Sequence, residues 1–525
     1  MSKAAEMAKV SARSSFHIMW GLIASTIITA IGTIIVARLL TPGEYGLYAI
    51  ALVAPNLIQN FRDWGVNVAM IKYSAQYKTE NQTAKVRSIL VSGLFFETIL
   101  GLSLSIFCML LSNLLATSAF QRPDITPLIQ VASLIILTGA FLNSAQAAFI
   151  GFEKMQFSST MLIVQSIIRA TVIPSLVILG YGAFGAVLGY TLALLISGLT
   201  GILLMWILYK NLPKQASNNI GISASIKKMF KYGLPLSIST IVDGFLLQFY
   251  NFLLALYATD VMYGNYTIAI NFAVLLTFFA RPITTMMFPA FSKLDPEKDH
   301  ETLKRVYQFS VKYASLLVVP SVAVVMVLAQ PAVSTLYGAK YSTAPLFLAL
   351  SAIAYIYTAF GNLSTVNFIN GIGKTVFTMK LSLLDAVIGF PMSFILISQF
   401  GVLGLIATTL TVGIPSIVIS LLWIKKNYDL TVDWVSSTKI ILSATIAATT
   451  TFLLTSLIGF GSLITLIVGV AIFIPVFVVA ILLTKAINRF DVDSLRQMLG
   501  TLGPLSRITN YFFRAIEKLM NILRL

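Results

Sequence analysis

Fourteen stretches of about 20 apolar residues follow one another along the chain. They fall near 15–37, 44–71, 88–113, 126–150, 159–180, 182–209, 229–257, 262–290, 308–331, 343–369, 376–398, 402–424, 437–459 and 462–484. Each is long enough to cross a hydrocarbon core about 30 Å thick as a helix. Barrel strands are about 10 residues long and alternate in polarity, which these stretches do not. The expected fold is therefore an all-α polytopic membrane protein with fourteen transmembrane helices. Composition excludes a soluble alternative: 57% of residues are hydrophobic and 10% charged, against roughly 25% charged in soluble domains. Mean hydropathy is +0.88.

The net charge of +17 would suit nucleic acid, but its placement does not. With the N-terminus cytoplasmic, 30 of the 36 lysines and arginines fall on cytoplasmic segments. Outer loops hold three, Arg38, Arg122 and Lys340, and three more, Arg62, Arg169 and Arg281, fall inside spans. This asymmetry sets the orientation, places both termini in the cytoplasm of a cell membrane, and makes anionic membrane lipids the partner of most of the charge. No nucleic-acid partner is expected. Cys108 is the single cysteine, so no internal disulfide can form, and the first apolar stretch lacks the cleavage pattern of a signal peptide.

The chain also repeats itself. Tyr45-Gly46-Leu47-Tyr48-Ala49-Ile50-Ala51 returns 218 residues later as Tyr263-Gly264-Asn265-Tyr266-Thr267-Ile268-Ala269. Gly151, Lys154 and Phe157 return as Gly371, Lys374 and Phe377, an offset of 220, and Gly182-x-x-Gly185 returns as Gly401-x-x-Gly404, an offset of 219. Six spans bring the chain back to the side it started from, so the halves share one orientation. Parallel repeats of this kind place a transporter's substrate site at their interface. The expected organisation is two pseudo-symmetric six-helix lobes, 1–215 and 216–430, two additional helices in 431–485, and a cytoplasmic tail, 486–525. The tail's 505–525 segment gathers Ile508, Tyr511, Phe512, Ala515, Ile516, Leu519 and Leu523 on one helical face, the pattern of a helix lying on the membrane surface. The two-lobe plan is complete in one chain, which suits a functional monomer.

An ionisable side chain inside the hydrocarbon costs at least ~2.5–3.5 kcal/mol on insertion scales and faces a partner or a wet cavity. Seven such residues stand in the spans: Arg62, Asp63, Glu97, Arg169, Asp243, Arg281 and Asp385. Arg62 and Arg281 occupy equivalent places in the two halves, an offset of 219, and two facing guanidinium groups suit a doubly charged phosphate. Arg62, Arg281, Arg169 and Asp63 are the substrate-cavity candidates. Asp243, Glu97 and Asp385 either bind a coupling proton or Na⁺ or form buried ion pairs, Glu97 with Arg87 or Arg169. Asp63 also has a plain reading as a neutraliser of its neighbour. Nothing points to catalysis, a metal or a cofactor. There is no phosphate-binding loop, only two histidines, His17 and His300, and inter-span loops too short for a catalytic domain. The acidic run at 295–301 reads as a solvated loop.

The stretch ARLLTPGEYGLYAIA, followed by FRDWGVNVAMIKYSAQ, resembles the start of prokaryotic polysaccharide flippases. These belong to the multidrug/oligosaccharidyl-lipid/polysaccharide exporter superfamily. FARPITTMMFPAFSKLDPEKD, TLYGAKYSTAPLFLALS and NGIGKT extend the similarity, which covers about residues 10–425. The resemblance implies a fourteen-helix transporter whose two lobes enclose a cationic cavity. It implies as substrate a sugar linked to polyprenyl or dolichyl diphosphate, moved from the cytoplasmic to the outer leaflet. It carries over no coupling residue, so proton and Na⁺ stay open. The alternative within the superfamily is a cation-coupled multidrug antiporter, whose organic-cation substrates would need an acidic cavity.

Overall fold

The computed structural model describes residues 3–213, 221–292, 298–457, 459, 461–492 and 517–521. The side chains of 3–20, 235, 236, 239, 275, 277–290 and 292 lie outside that description. The amphipathic segment expected at 505–525 is therefore outside it except for 517–521. Among the described residues the regular structure is entirely helical. In chain order the helices are α1 (Lys3–Leu39), α2 (Pro42–Ala51), α3 (Val53–Gln59), α4 (Val66–Thr79), α5 (Thr83–Leu114) and α6 (Thr126–Gly151). Then come α7 (Met155–Leu176), α8 (Gly182–Lys210), α9 (Ile222–Tyr257), α10 (Asp260–Ser292), α11 (His300–Val327) and α12 (Ala329–Leu336). The last are α13 (Ala344–Ala352), α14 (Asn362–Gly371), α15 (Thr375–Tyr428), α16 (Trp434–Ser456) and α17 (Ser462–Leu483).

Where fourteen spans are expected, nine helices among the described residues are long and apolar enough to cross a membrane, or ten if one bent pair counts as a span. Local chemistry explains four of the five missing spans, and the fifth falls on α10, most of whose second half has side chains outside the described residues. Two continuous runs, Met155–Lys210 and Thr375–Tyr428, hold 56 and 54 residues, some 80 Å of helix at 1.5 Å per residue against a core of about 30 Å. Both break at glycine: Gly180 and Gly182 have φ of 91° and 48°, and Gly401 has φ 54°, values that a side chain would resist. Two other spans are discontinuous. Residues 60–65 unwind between α3 and α4, ending on Gly65 at φ 84°. The helical turns ending at Phe360 meet α14 at Gly361, φ 83°, with a bend of 54°.

The first copy of the repeated Tyr-Gly motif lies within α2 and the second within α10. Pro42 occupies the first turn of α2, and Thr41 caps it reciprocally: the Glu44 amide donates to Thr41 Oγ1 at 3.2 Å, and the Thr41 amide donates to a Glu44 carboxylate oxygen at 2.9 Å. A proline at this position and a capping box start a helix before Tyr45.

By compactness the chain divides into two units that change over within α10 and α15: 1–267 with 382–408, and 268–381 with 409–525. In the first unit α1 runs along α7, with Gly32 against Ala170 and Gly21 against Ser159, small residues that let helix backbones approach. A cluster of Met70, Tyr77, Ile89, Phe149, Met161 and Met229 fills the ends of α4, α5, α6, α7 and α9. The two copies of the repeated motif meet here. A Cβ on Gly46 would overlap the carbonyl of Asp260, and one on Gly264 would overlap that of Pro42. Tyr45 stands edge-on to Tyr48 at 5.8 Å and Tyr263 edge-on to Tyr266 at 6.5 Å.

Beside this contact Arg122 gathers the end of α9. Its Nε meets Asp260 Oδ1 at 2.5 Å, its Nη1 donates to the carbonyls of Phe120 and Ala255, and its Nη2 donates to that of Ala258 at 2.6 Å. Arg122→Ala strands three carbonyls and a half-buried carboxylate. We expect about 2–3 kcal/mol of lost stability, read as a lower thermal midpoint of the purified protein. An unchanged midpoint would show that water replaces the guanidinium there at no cost.

In the second unit α11 packs against α16, and Tyr307, buried, donates to or accepts from Thr365 at 2.8 Å within a cluster of Phe291, Leu303, Phe368 and Ile424. Below α17, Lys312 Nζ meets the buried Asp491 at 2.6 Å. At the turn after α15 a hydrogen bond from Lys304 holds the Asp429 carboxyl below its ordinary range.

Candidate functional site

The discontinuous second span is where the charges concentrate. Unwinding at 60–65 frees backbone and side chains that a regular helix would point into lipid, the arrangement by which transporters build sites at membrane depth. Arg62 sits in this break and is 3% exposed. Its Nε lies 2.8 Å from Glu97 Oε2 on α5, and its Nη1 donates to the Ile136 carbonyl of α6 at 3.0 Å. Glu97, 0% exposed, accepts a second bond on Oε1 from Asn67 Nδ2 at 3.0 Å. A buried ion pair is sustained only when its remaining donors and acceptors are also met, and Asn67 and Ile136 do this. Gly139 makes the room, since a Cβ there would lie 2.5 Å from Arg62 Nη1. The third guanidinium nitrogen, Nη2, makes no hydrogen bond among the described residues.

Asp63 does something different. Its Oδ1 accepts from the backbone amides of Gly65 at 2.9 Å and Asn67 at 3.4 Å, so it caps α4, whose first amides would otherwise be orphaned in apolar surroundings. The cap needs the tight turn at Gly65, and that glycine is doubly constrained: a Cβ on it would overlap the backbone of Gly233 on α9.

Arg169, on α7, is apart from this cluster. Its guanidinium lies 4.8 Å from the ring centre of Tyr190 and is hydrogen-bonded to Tyr48. Tyr45, Tyr48 and Arg169 border a void of about 10 Å³, room for roughly one water. Aromatic faces and a phenol supply the compensation that a mid-span cation needs.

Asp243 and Asp385 lie on one helix pair, α9 against the first half of α15. Ser382 Oγ donates to Asp243 Oδ2 at 3.1 Å, and Asp385 faces Tyr250. Phe245 meets Phe390 at a tilt and Phe249 meets it edge-on alongside. Asp243 is exposed although mid-span, next to Gly244, where a Cβ would lie 2.9 Å from Asn60 Oδ1 in the break of the second span. An exposed carboxylate at that depth calls for water or a cation. No group of three or more His, Cys, Asp or Glu side chains that could hold a metal occurs among the described residues.

The structure thus brings Arg62 together with Glu97, and Asp243 onto the same helix pair as Asp385, and it keeps Arg169 separate. Glu97 is half of an ion pair, with Arg62 in place of Arg87 or Arg169. Arg281 is on α10, in the stretch whose side chains are outside the described residues. Sequence reasoning passed over Asn67, Ser382 and Tyr250. Asn67 carried a signal, an amide one helical turn beyond a mid-span Arg-Asp pair. Ser382 and Tyr250 carried none, being ordinary helix residues until packed.

The described residues make a polytopic helical membrane fold whose second span is broken at a charged pair. The chain belongs to the polysaccharide biosynthesis protein family, whose model matches residues 35–346. It is 23% identical over 350 residues to the lipopolysaccharide biosynthesis protein WzxC of Escherichia coli, covering 65% of this chain and 67% of that one. In structure it is similar to the lipid II flippase MurJ in an inward closed conformation, with TM-score 0.68 and 16% identity over 88% of this chain and 97% of that one. A similar likeness holds to an inward-facing multidrug resistance MATE transporter of the MOP superfamily, with TM-score 0.63 and 18% identity over 77% and 94%. These likenesses show a shared fold, that of MOP superfamily transporters, in a multi-pass membrane protein of polysaccharide biosynthesis.

Proposed function

We propose that the chain is a flippase that moves an oligosaccharide linked to polyprenyl or dolichyl diphosphate from the cytoplasmic to the outer leaflet, by alternating access, for a cell-surface polysaccharide or glycan. On this reading the helices make fourteen crossings, with the glycine-broken runs counted twice and each discontinuous span once. Residues 1–215 and 216–430 are pseudo-symmetric lobes, 431–485 add two helices, both termini are cytoplasmic, and the monomer is the working unit. The observation that carries the proposal is the break in the second span, which sets Arg62, with an uncommitted Nη2, at membrane depth in a chain of this family. Guanidinium binds phosphate oxygens directionally. Arg281 and Arg169 are the further cationic candidates, and Asp63 orients the break. The names of the relatives, a lipopolysaccharide biosynthesis protein and a lipid II flippase, agree with a lipid-linked sugar as substrate.

The exposed mid-span Asp243 favours one second reading, a cation-coupled antiporter of organic cations such as the multidrug transporter that shares the fold. Proteoliposomes separate the two. A fluorescent polyprenyl-diphosphate sugar placed in one leaflet is expected to become accessible in the other at least tenfold faster with protein than without. Ethidium efflux with no lipid-sugar movement would overturn the flippase reading in favour of the antiporter.

A further inference from the structure

The ends of α4, α5 and α9 bring together three lysines and three tyrosines that the transport proposal leaves unused. Lys72 Nζ lies 3.6 Å from the ring centre of Tyr232 and 5.4 Å from that of Tyr73. Lys228 Nζ lies 4.7 Å from Tyr73 and 4.9 Å from Tyr77, and it also donates to the Tyr77 hydroxyl. Lys85 Nζ is 5.5 Å from Tyr77. The rings are ordered among themselves: Tyr73 stacks on Tyr77 at 5.9 Å, and Tyr232 meets Tyr73 edge-on at 5.7 Å.

A purely electrostatic anchor needs none of this. Lysines that only mark the cytoplasmic side extend into the headgroup layer and are individually replaceable. Here three ammonium groups from three helices turn onto three adjoining rings, and none pairs with a carboxylate among the described residues. Cation–π contacts hold each in place, while the like charges repel one another. A compact, multiply charged anion would relieve that repulsion, and ammonium point charges suit phosphate oxygens. The flanking ring faces offer apolar surface to whatever carries the phosphate. Lys72 and Lys228 are exposed and Tyr77 is buried, so the platform is rigid below and open above.

We propose that this Lys72–Lys85–Lys228 cluster is a binding site for the diphosphate headgroup of a lipid presented at the cytoplasmic leaflet, where substrate is held before translocation; this rests on the flippase reading for the identity of the lipid. The test uses the full-length protein in detergent, with bound undecaprenyl diphosphate counted by native mass spectrometry. Inorganic pyrophosphate and phosphatidylglycerol serve as competitors. Pyrophosphate is expected to displace the lipid, and phosphatidylglycerol at equal total charge is not. Lys72→Gln with Lys228→Gln should weaken binding about tenfold or more, since hydrogen bonds to charged groups are the stronger class. Tyr73→Leu should weaken it less, and Tyr73→Phe should not change it. Lys72→Arg with Lys228→Arg, which keeps the charge, should retain binding and so separates loss of the site from loss of the fold. Wild-type binding by the glutamine double variant overturns the proposal, and so does displacement by phosphatidylglycerol as effective as that by pyrophosphate. If wild type binds the diphosphate through these lysines yet moves no lipid-linked sugar, the transport reading fails and the site stands. If wild type moves the lipid-linked sugar while the glutamine double variant keeps wild-type binding, the site fails and the transport reading stands.

Discussion

Glu97→Ala is expected to abolish accumulation of folded protein, and Arg62→Ala to do nearly the same, whereas Arg62→Met combined with Glu97→Met is expected to fold. The asymmetry follows from burial. Arg62 and Glu97 are 3% and 0% exposed and 2.8 Å apart. Removing either partner leaves an uncompensated charge, a loss of about 3–5 kcal/mol, while replacing both with apolar groups of similar volume is often neutral. Glu97→Ala also strands the Asn67 amide that donates to Oε1. Thermal midpoints of Arg62→Met, Glu97→Met and the Met/Met variant, taken on the small folded fraction that each single variant yields and combined as a double-mutant cycle, should give a coupling of about 2 kcal/mol or more, within the range found for residues in one network. The same double variant tests function separately from stability. If Nη2 of Arg62 receives a phosphate oxygen during translocation, the folded Met/Met protein should flip lipid-linked sugar at least 100-fold more slowly than wild type. That corresponds to the loss of a charge-assisted contact worth about 3 kcal/mol. Met/Met flipping at the wild-type rate would make the pair a structural staple and remove Arg62 from the substrate path.

This pair also marks how far the sequence could be read. Arg62 was conspicuous because a guanidinium in the middle of an apolar span is costly, and Glu97 was conspicuous for the same reason. Their partnership was not legible. The two are 35 residues apart, and whether Glu97 faces Arg62, Arg87 or Arg169 depends on how α5 turns against the broken second span. That rotation is set in part by Gly139, whose missing side chain gives Arg62 its space, and nothing local distinguishes it from other helix glycines. The start of α2 was the opposite case. Thr41, Pro42 and Glu44 form a capping box that local rules describe in full, and the helix it starts carries the repeated motif. The recurrence of Gly46 as Gly264 was visible, but not its consequence, that the two glycines let the starts of α2 and α10 touch. Likewise Lys72, Lys85 and Lys228 read as three of many cytoplasmic charges. Only packing shows their ammonium groups turned onto shared rings.

Asp243→Asn and Asp385→Asn are each expected to uncouple transport from an ion gradient while leaving downhill movement intact. Asp243 is exposed at mid-span and receives a hydrogen bond from Ser382. Asp385 lies half-buried one helical turn along from Ser382. A carboxylate inside the span is costly while ionised, and a bound proton or Na⁺ relieves that cost. Binding energy spent on one conformation in preference to the other is what lets an ion bias an alternating-access equilibrium. Asparagine can still accept from Ser382 through its carbonyl oxygen, so the helix pair should stay packed and the thermal midpoint should move little. In proteoliposomes an imposed Na⁺ gradient and an imposed pH gradient are applied separately. Wild type should accumulate lipid-linked sugar in one leaflet under only one of them, and that accumulation should fall at least tenfold in either Asn variant, the effect of removing a bias of about 1.4 kcal/mol. Equilibration without a gradient should stay within about twofold of wild type, since no substrate contact is lost in this scheme. Gradient-driven accumulation surviving in both variants would exclude these carboxylates as the coupling site. A collapse of downhill movement as well would reassign them to the packing of α9 on α15, where the aromatic contacts of Phe245 and Phe249 with Phe390 already show how closely that helix pair is fitted.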